Sequence, residues 1–285
     1  MKCLFRLLII TAFFSISVFA QKQLEMEIVM QKDTFLEGEE VSFGFGVKNI
    51  TKNILKLNVG TVNIKLLDES GKELKKTAAG ILYDFVPLKK TLKNNEESYW
   101  VYDLAEMYGT QTYHSFFSFY FKTGTYRIKI KVKSPNNFIE KKTISFRVVE
   151  PKGDELKYFT SLKKIIAPIF KPNYKSELLV AQFENLRAAY PNSVYSPISL
   201  EFLICKLMWV GKRNSQKEKI ISYLNEYPEK YTWSRKALGL IDNKVTNDKI
   251  SKQEKIDYLK KLLPKSRKSP MTKMIQNYIR EVTEK

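Results

Sequence analysis

The sequence predicts a two-sheet β-sandwich followed by a short array of helical hairpins, behind an N-terminal export signal. Three observations carry this. Apolar residues alternate with polar ones as far as about residue 150, they recur every three or four residues beyond it, and the opening residues form a secretory leader. The expected fold class is multidomain, all-β plus all-α: leader 1–20, sandwich domain 21–150, α-helical domain 151–285.

The leader is justified by order as much as by composition. Lys2 and Arg6 come first, an uncharged apolar run from Leu7 to Val18 follows, and Val18-Phe19-Ala20 precedes the polar Gln21. The run is shorter than the roughly 20 residues a bilayer-spanning helix needs. Cys3 lies before the run, the wrong place for a lipid attached at a cleavage point. The strongest later apolar stretch, Leu200 to Val210, is broken by Glu201 and Lys206. The chain is therefore expected in the periplasm, on the cell surface or in the medium, with no transmembrane span after processing. Cys205 is then the one remaining cysteine, so no intramolecular disulfide is expected, and its apolar neighbours predict a small buried hydrophobe.

Strands are predicted at Leu24–Met30, at Val41, Phe43, Phe45 and Val47 alternating with Ser42, Gly44 and Gly46, and at Val62–Leu67, Ser98–Leu104 and Ser115–Phe121. Tyr126–Lys133 alternates apolar residues with cations, the mark of an antiparallel strand with one wet face, and Ile144, Phe146 and Val148 alternate again. Turn signals at Glu37-Gly38-Glu39, Glu69-Ser70-Gly71-Lys72 and Lys122-Thr123-Gly124-Thr125 punctuate them. If Phe117, Phe119 and Phe121 face the core, Phe116 and Tyr120 face outward and are candidate partner or interdomain contacts; burial on both faces is the alternative. Asn49-Ile50-Thr51 has the form of a glycosylation acceptor and is read as a strand end.

Two stretches resemble a known family. Phe35-Leu36-Glu37-Gly38-Glu39-Glu40-Val41 with Val47-Lys48-Asn49-Ile50-Thr51 resembles the opening of bacterial immunoglobulin-like domains. Gly124-Thr125-Tyr126-Arg127-Ile128 with Phe146-Arg147-Val148-Val149 resembles their closing hairpin. The resemblance implies an Ig-like sandwich over 21–150 and no particular activity, since that fold hosts many. Some proteinase-inhibitor domains share the outline.

Pro151-Lys152-Gly153-Asp154 is expected to end the sheet, with Asp154 capping the first long helix. Leu178, Leu179, Phe183 and Leu186, then Ile198, Phe202, Cys205 and Trp209, follow helical spacing. Tyr190-Pro191 recurs 37 positions on as Tyr227-Pro228, and Leu263-Pro264 falls 36 further. Proline breaks a helix interior and is tolerated at its start, so these prolines are expected between helices, giving three hairpins; an irregular bundle is the alternative. Phe183-Glu184-Asn185-Leu186-Arg187-Ala188-Ala189-Tyr190-Pro191-Asn192-Ser193-Val194-Tyr195 resembles helices of tetratricopeptide-like repeats in bacterial envelope proteins; the later repeats keep only the proline position and the apolar spacing.

The chain carries 49 basic and 30 acidic residues; apart from Lys2 and Arg6 of the leader they divide as 20 against 16 in 21–150 and 27 against 14 in 151–285. Such an excess favours anionic partners, or else reflects a lysine-rich composition. Lys260, Lys261, Lys265, Arg267 and Lys268 cluster at one turn and are the candidate anionic-surface contact; Lys212, Arg213, Lys217 and Lys219 cluster at another. Catalytic signals are sparse: one histidine, His114, no glycine-rich phosphate loop, and acids at Asp33, Glu37, Glu39 and Glu40 without calcium-loop spacing. A carboxylate pair is the arrangement left open, because its members can come from anywhere. No catalytic residue, cofactor or metal is expected, and no nucleic acid for an exported chain. The expected function is a non-catalytic periplasmic or cell-envelope binding or scaffold protein engaging a protein partner. The alternatives are binding of an anionic glycan or lipid surface through a basic helical face, and a proteinase-inhibitor-like sandwich.

Overall fold

The computed structural model describes residues 23–56, 62–76, 91–108, 121–133, 139–167, 176–209, 217–231, 235–265 and 269–284. The leader, His114, Phe116, Tyr120, Arg267 and Lys268 lie outside the described residues.

Strands Leu24–Met30 (β1), Thr34–Leu36 (β2), Ser42–Asn49 (β3), Leu55–Lys56 (β4), Val62–Leu67 (β5), Thr91–Leu92 (β6), Glu97–Asp103 (β7), Gly124–Lys133 (β8) and Ile139–Val149 (β9) occupy the first half, with a short helix Leu104–Tyr108 (α1) after β7. They form one sheet ordered β1-β3-β7, a second ordered β2-β9-β8-β5, and a small β4-β6 pair. Pairing is antiparallel except for β2 against β9. The two larger sheets share one core: Leu24, Met26, Phe43, Phe45 and Val47 from the first, Ile64, Leu66, Ile128, Ile130, Val132, Phe146 and Val148 from the second. Phe43 stacks on Tyr102, and Tyr126 on Phe146, at ring separations of 5.2 and 5.4 Å. Asn49 ends β3 fully buried: its amide donates to the carbonyls of Asn53 and Leu92, and its Oδ1 accepts from Thr51, so it is a strand end and no accessible glycan acceptor.

Helices Gly153–Ile166 (α2), Ser176–Ala189 (α3), Ser196–Trp209 (α4), Lys217–Lys230 (α5), Arg235–Thr246 (α6), Lys252–Leu262 (α7) and Met271–Glu284 (α8) fill the second half. Two local expectations are corrected. Asp154 does not cap α2: the cap position is Lys152 without a side-chain bond, Gly153 at φ 57° turns the chain, and Asp154 lies in the first turn beside Lys157. Glycine supplies that left-handed turn without strain, and acids in the first turn suit the exposed amides there. Pro228 does not separate helices either. It lies inside the last turn of α5, which Tyr227 and Tyr231 hold by burial against Leu200, Ile204 and Ala237. Pro191 and Pro264 do fall in turns.

The helices are not a body apart. Tyr99 and Val101 point outward from β7 and share a core with Ile241, Leu259, Leu262, Met271 and Ile275 of α6, α7 and α8. The Tyr99 hydroxyl donates to the Pro270 carbonyl at 3.1 Å, and Lys273 of α8 bridges Glu27 and Glu97 of the sheet. Gly44 and Gly46 of β3 make room: a Cβ at Gly44 would sit on the Tyr99 hydroxyl and 2.5 Å from its Cζ. A second contact joins the Glu37-Gly38 turn to α2 and α4. Tyr195 donates to the Glu37 carbonyl at 2.6 Å, and a Cβ at Gly38 would meet the Phe159 ring. The chain is thus a mixed sheet-and-helix structure rather than separate all-β and all-α bodies, because apolar side chains on the outer face of one sheet require cover that the helices supply.

Candidate functional site

Of the predicted anionic-surface residues, Lys260 is exposed on α7. Lys261 bonds Glu229 of α5 at 2.8 Å and Lys265 lies 3.8 Å from the same carboxylate, whose pKa the Lys261 hydrogen bond holds below the ordinary value. Other helical cations are engaged in the same way. Arg187 bonds Glu226 at 2.5 Å, Lys219 pairs with Glu184, and Lys244 and Lys163 each lie 4.0 Å from the ring centres of Tyr258 and Phe159. The helical half carries most of the charge excess, but these cations are engaged by carboxylates or rings of neighbouring helical residues.

A different face concentrates free cations. On the sheet β2-β9-β8-β5, burial alternates strictly along β8: Tyr126, Ile128, Ile130 and Val132 point into the core, and Lys129 and Lys131 are exposed. The register places Lys129 between Lys65 and Thr143, Lys131 between Asn63 and Lys141, Arg127 opposite Ser145, and Thr125 opposite Arg147. Neighbouring strands lie about 4.8 Å apart and same-face residues about 6.8 Å apart along a strand. Six cations thus share one pleated surface: Lys65, Arg127, Lys129, Lys131, Lys141 and Arg147. Among the described residues the Lys65–Glu73 bridge, at 2.6 Å, is the ion pair on this face, and no carboxylate pairs with the other five. Arg127 extends toward the Asp68–Lys72 turn, where a Cβ at Gly71 would lie 3.5 Å from its guanidinium.

The two outer sheet faces differ in sign and in cover. The β1-β3-β7 face carries Glu27 and Glu97 under Lys273 and the helices; the β8 face carries cations and solvent. The sequence-based reading located the basic surface in the helices. The signal for the sheet face was the alternation in Tyr126–Lys133, which fixes four side chains to one side of one strand, but the neighbours Lys65, Lys141 and Arg147 join them only through strand pairing.

Chemistry elsewhere is modest. A cleft of about 470 Å³ beside α6, α7 and α8 is lined by Asp242, Lys252, Lys255, Tyr278 and Glu281 among others. Tyr278 donates to Asp242 at 3.0 Å and Lys252 to the Thr283 carbonyl at 2.9 Å, so both belong to the helix packing. Glu39 is 4% exposed; burial raises its pKa against the opposing Lys32 bridge at 2.6 Å. Among the described residues no three metal-ligating side chains cluster, and no helix is long and apolar enough to cross a membrane.

No family model matches the sequence, and no curated protein matches it. Similar solved structures include the sporulation control protein Spo0M from Bacillus subtilis (12% identity, TM-score 0.28, 50% of this chain and 56% of that one). CopC from Methylosinus trichosporium OB3b (17%, TM-score 0.23, 45% and 98%) and the CARDB domain of the PF1109 protein from Pyrococcus furiosus (18%, TM-score 0.24, 44% and 87%) are others. The chain spans 56% of the Spo0M chain, and likeness at these TM-scores assigns neither fold nor activity.

Proposed function

We propose that this is an exported, non-catalytic binding and scaffold protein of the cell envelope, and that its working surface is the cationic sheet face rather than the helical one. The observation that supports this is the grid of Arg127, Lys129, Lys131, Lys141 and Arg147, for which no carboxylate partner occurs among the described residues, whereas Arg187, Lys219, Lys261 and Lys273 of the helices each bind a carboxylate. A protein interior or a purely structural surface gains nothing from gathering like charges; their mutual repulsion is relieved when an anionic partner covers them. The Ig-like sandwich expected from the sequence serves here as the frame that spaces the cations. The tetratricopeptide-like hairpins serve as a buttress on the opposite sheet.

The test is retention on an anionic matrix across a salt gradient, comparing charge reversal at Lys129 and Lys131 with charge reversal at Lys260. Earlier elution of the sheet variant alone supports the reading; earlier elution of the Lys260 variant alone returns the site to the helices. A second reading, a protein partner held by the helices, is favoured by Leu156, Leu178 and Ile221, which are 47%, 59% and 46% exposed on α2, α3 and α5. Pull-down of an envelope protein that is lost on Leu178→Ser and unaffected by salt would support that instead.

A further inference from the structure

We infer that the ligand of the cationic sheet face is a linear acidic polysaccharide, an inference that rests on the binding reading above and adds the chemical class. Three features of the face select it. First, the surface is a pleated sheet and not a pocket, so the cations form rows: Lys65 and Lys129 side by side, then Lys131 and Lys141, with Arg127 and Arg147 toward the other end. Rows of point charges suit a polymer that repeats its anion, whereas a single small anion would leave most of them unused. Second, polar neutral groups are interleaved with the charges. Asn63, Thr125, Thr143 and Ser145 are exposed on the same face and can donate to and accept from sugar hydroxyls.

Third, the exposed side chains of β5, β8 and β9 just named include neither an aromatic nor an aliphatic group; Tyr126, Phe146, Ile64, Ile128 and Ile130 lie in the core, and of the aliphatic residues at outward positions Leu67, beside Arg127, is 7% exposed and Val149, at the end of β9, is half-buried. Interfacial membrane binding draws on apolar groups inserted at the headgroup boundary, and single-stranded nucleic acid is held by aromatic stacking. Among the described residues, the exposed part of this face, from Asn63 and Lys65 across to Lys141 and Ser145, offers neither. Lysine also outnumbers arginine, four to two, on it; lysine is a point charge that tolerates many orientations, where arginine's planar fork would select a fixed bidentate geometry. A flexible chain of carboxylates and hydroxyls fits that mixture.

The experiment measures binding of the purified chain to three probes at low and moderate salt: polygalacturonate, vesicles of phosphatidylcholine with phosphatidylglycerol, and duplex DNA. Three proteins are compared: the parent, Lys129→Glu/Lys131→Glu/Lys141→Glu, and Lys260→Glu; the corresponding triple glutamine variant stands in if the glutamate variant melts early. The expected result is polygalacturonate binding at least tenfold tighter than to vesicles or DNA, weakened at least tenfold by the triple change and unaltered by Lys260→Glu. Equal or tighter binding of vesicles or DNA, still lost in the triple variant, overturns the polysaccharide inference and leaves the cationic-face reading standing. Absence of binding to any of the three, or binding that the triple variant leaves unchanged, overturns both.

Discussion

Truncation of Tyr99 should separate the helices from the sheet. Tyr99 is 5% exposed, stands on the outer face of β7, and packs with Ile241, Leu259, Leu262, Met271 and Ile275 from three helices. Tyr99→Ala removes a buried ring, a loss of about 3–5 kcal/mol for large aromatic-to-alanine changes in a core. Its hydrogen bond to the Pro270 carbonyl accounts for about 1 kcal/mol of that. Tyr99→Phe therefore isolates the bond, and Tyr99→Ala the bond and the packing together. The assay is urea unfolding followed by far-ultraviolet circular dichroism and by tryptophan fluorescence, with Trp100 on the neighbouring position of β7 as a sheet reporter. The parent should unfold in one coincident transition, because one core belongs to both halves. The phenylalanine variant should shift modestly, and the alanine variant should shift several times further or split into two transitions. An alanine variant no less stable than the phenylalanine variant would refute the claim that this ring joins sheet to helices.

Gly44→Ala should destabilise in the same way, since the new methyl displaces the Tyr99 ring; in the Tyr99→Ala background the same change should cost little, a coupling that a double-mutant cycle in urea reads directly. Glu39→Gln should lose its effect on stability with falling pH. Burial raises the Glu39 pKa above 4.5, so its native-state contribution is present below the unfolded pKa and is lost as pH rises through the folded one. The glutamine variant is therefore expected to gain on the parent as pH rises from the unfolded to the folded pKa and to hold that gain above it, and a difference constant across pH would contradict this. Ser251→Ala removes one arm of the Ser251–Glu254 capping box of α7 and should cost about 1 kcal/mol, visible as faster amide exchange at the start of α7 before any global shift.

The sequence was most legible where one strand or one turn suffices. β1 and β5 run over Leu24–Met30 and Val62–Leu67 as the alternation predicts; β7 starts at Glu97, one residue before the predicted strand, and ends at Asp103, one residue before its predicted end, because Leu104 opens α1. It was least legible where two distant segments meet. Gly44 and Gly46 read as polar-side strand positions; their role is to let Tyr99 lie across β3 under α8, which depends on the pairing of Gly44 with Val101 and Gly46 with Tyr99. Proline spacing misled at Pro228 for a related reason. A proline near a helix end loses a single backbone bond, and the burial of Tyr227 and Tyr231 outweighs that local preference. Charge counting per segment points to the helices, but net charge ignores pairing. Lys261 meets Glu229 two helices away in sequence, whereas on the sheet face Lys65 alone, among the described residues, meets a carboxylate, Glu73.

Docking of the helices explains why the free charge is where it is. Where the helices cover it, the outer face of β1-β3-β7 presents Tyr99, Val101, the two glycines Gly44 and Gly46, and Glu27 and Glu97, a surface that an amphipathic helix with a lysine can cover. The opposite outer face carries six cations, and a helix covering it would bury them without partners, at a cost of several kcal/mol for each uncompensated charge. The chemistry of the two faces therefore favours docking of α6, α7 and α8 on the β1-β3-β7 side. The same chemistry that keeps the chain's own helices off the β8 face leaves it open to an anionic partner. Reversing the sign of Lys129, Lys131 and Lys141 should consequently abolish anion binding and leave the helix docking, read through the single unfolding transition, as it was.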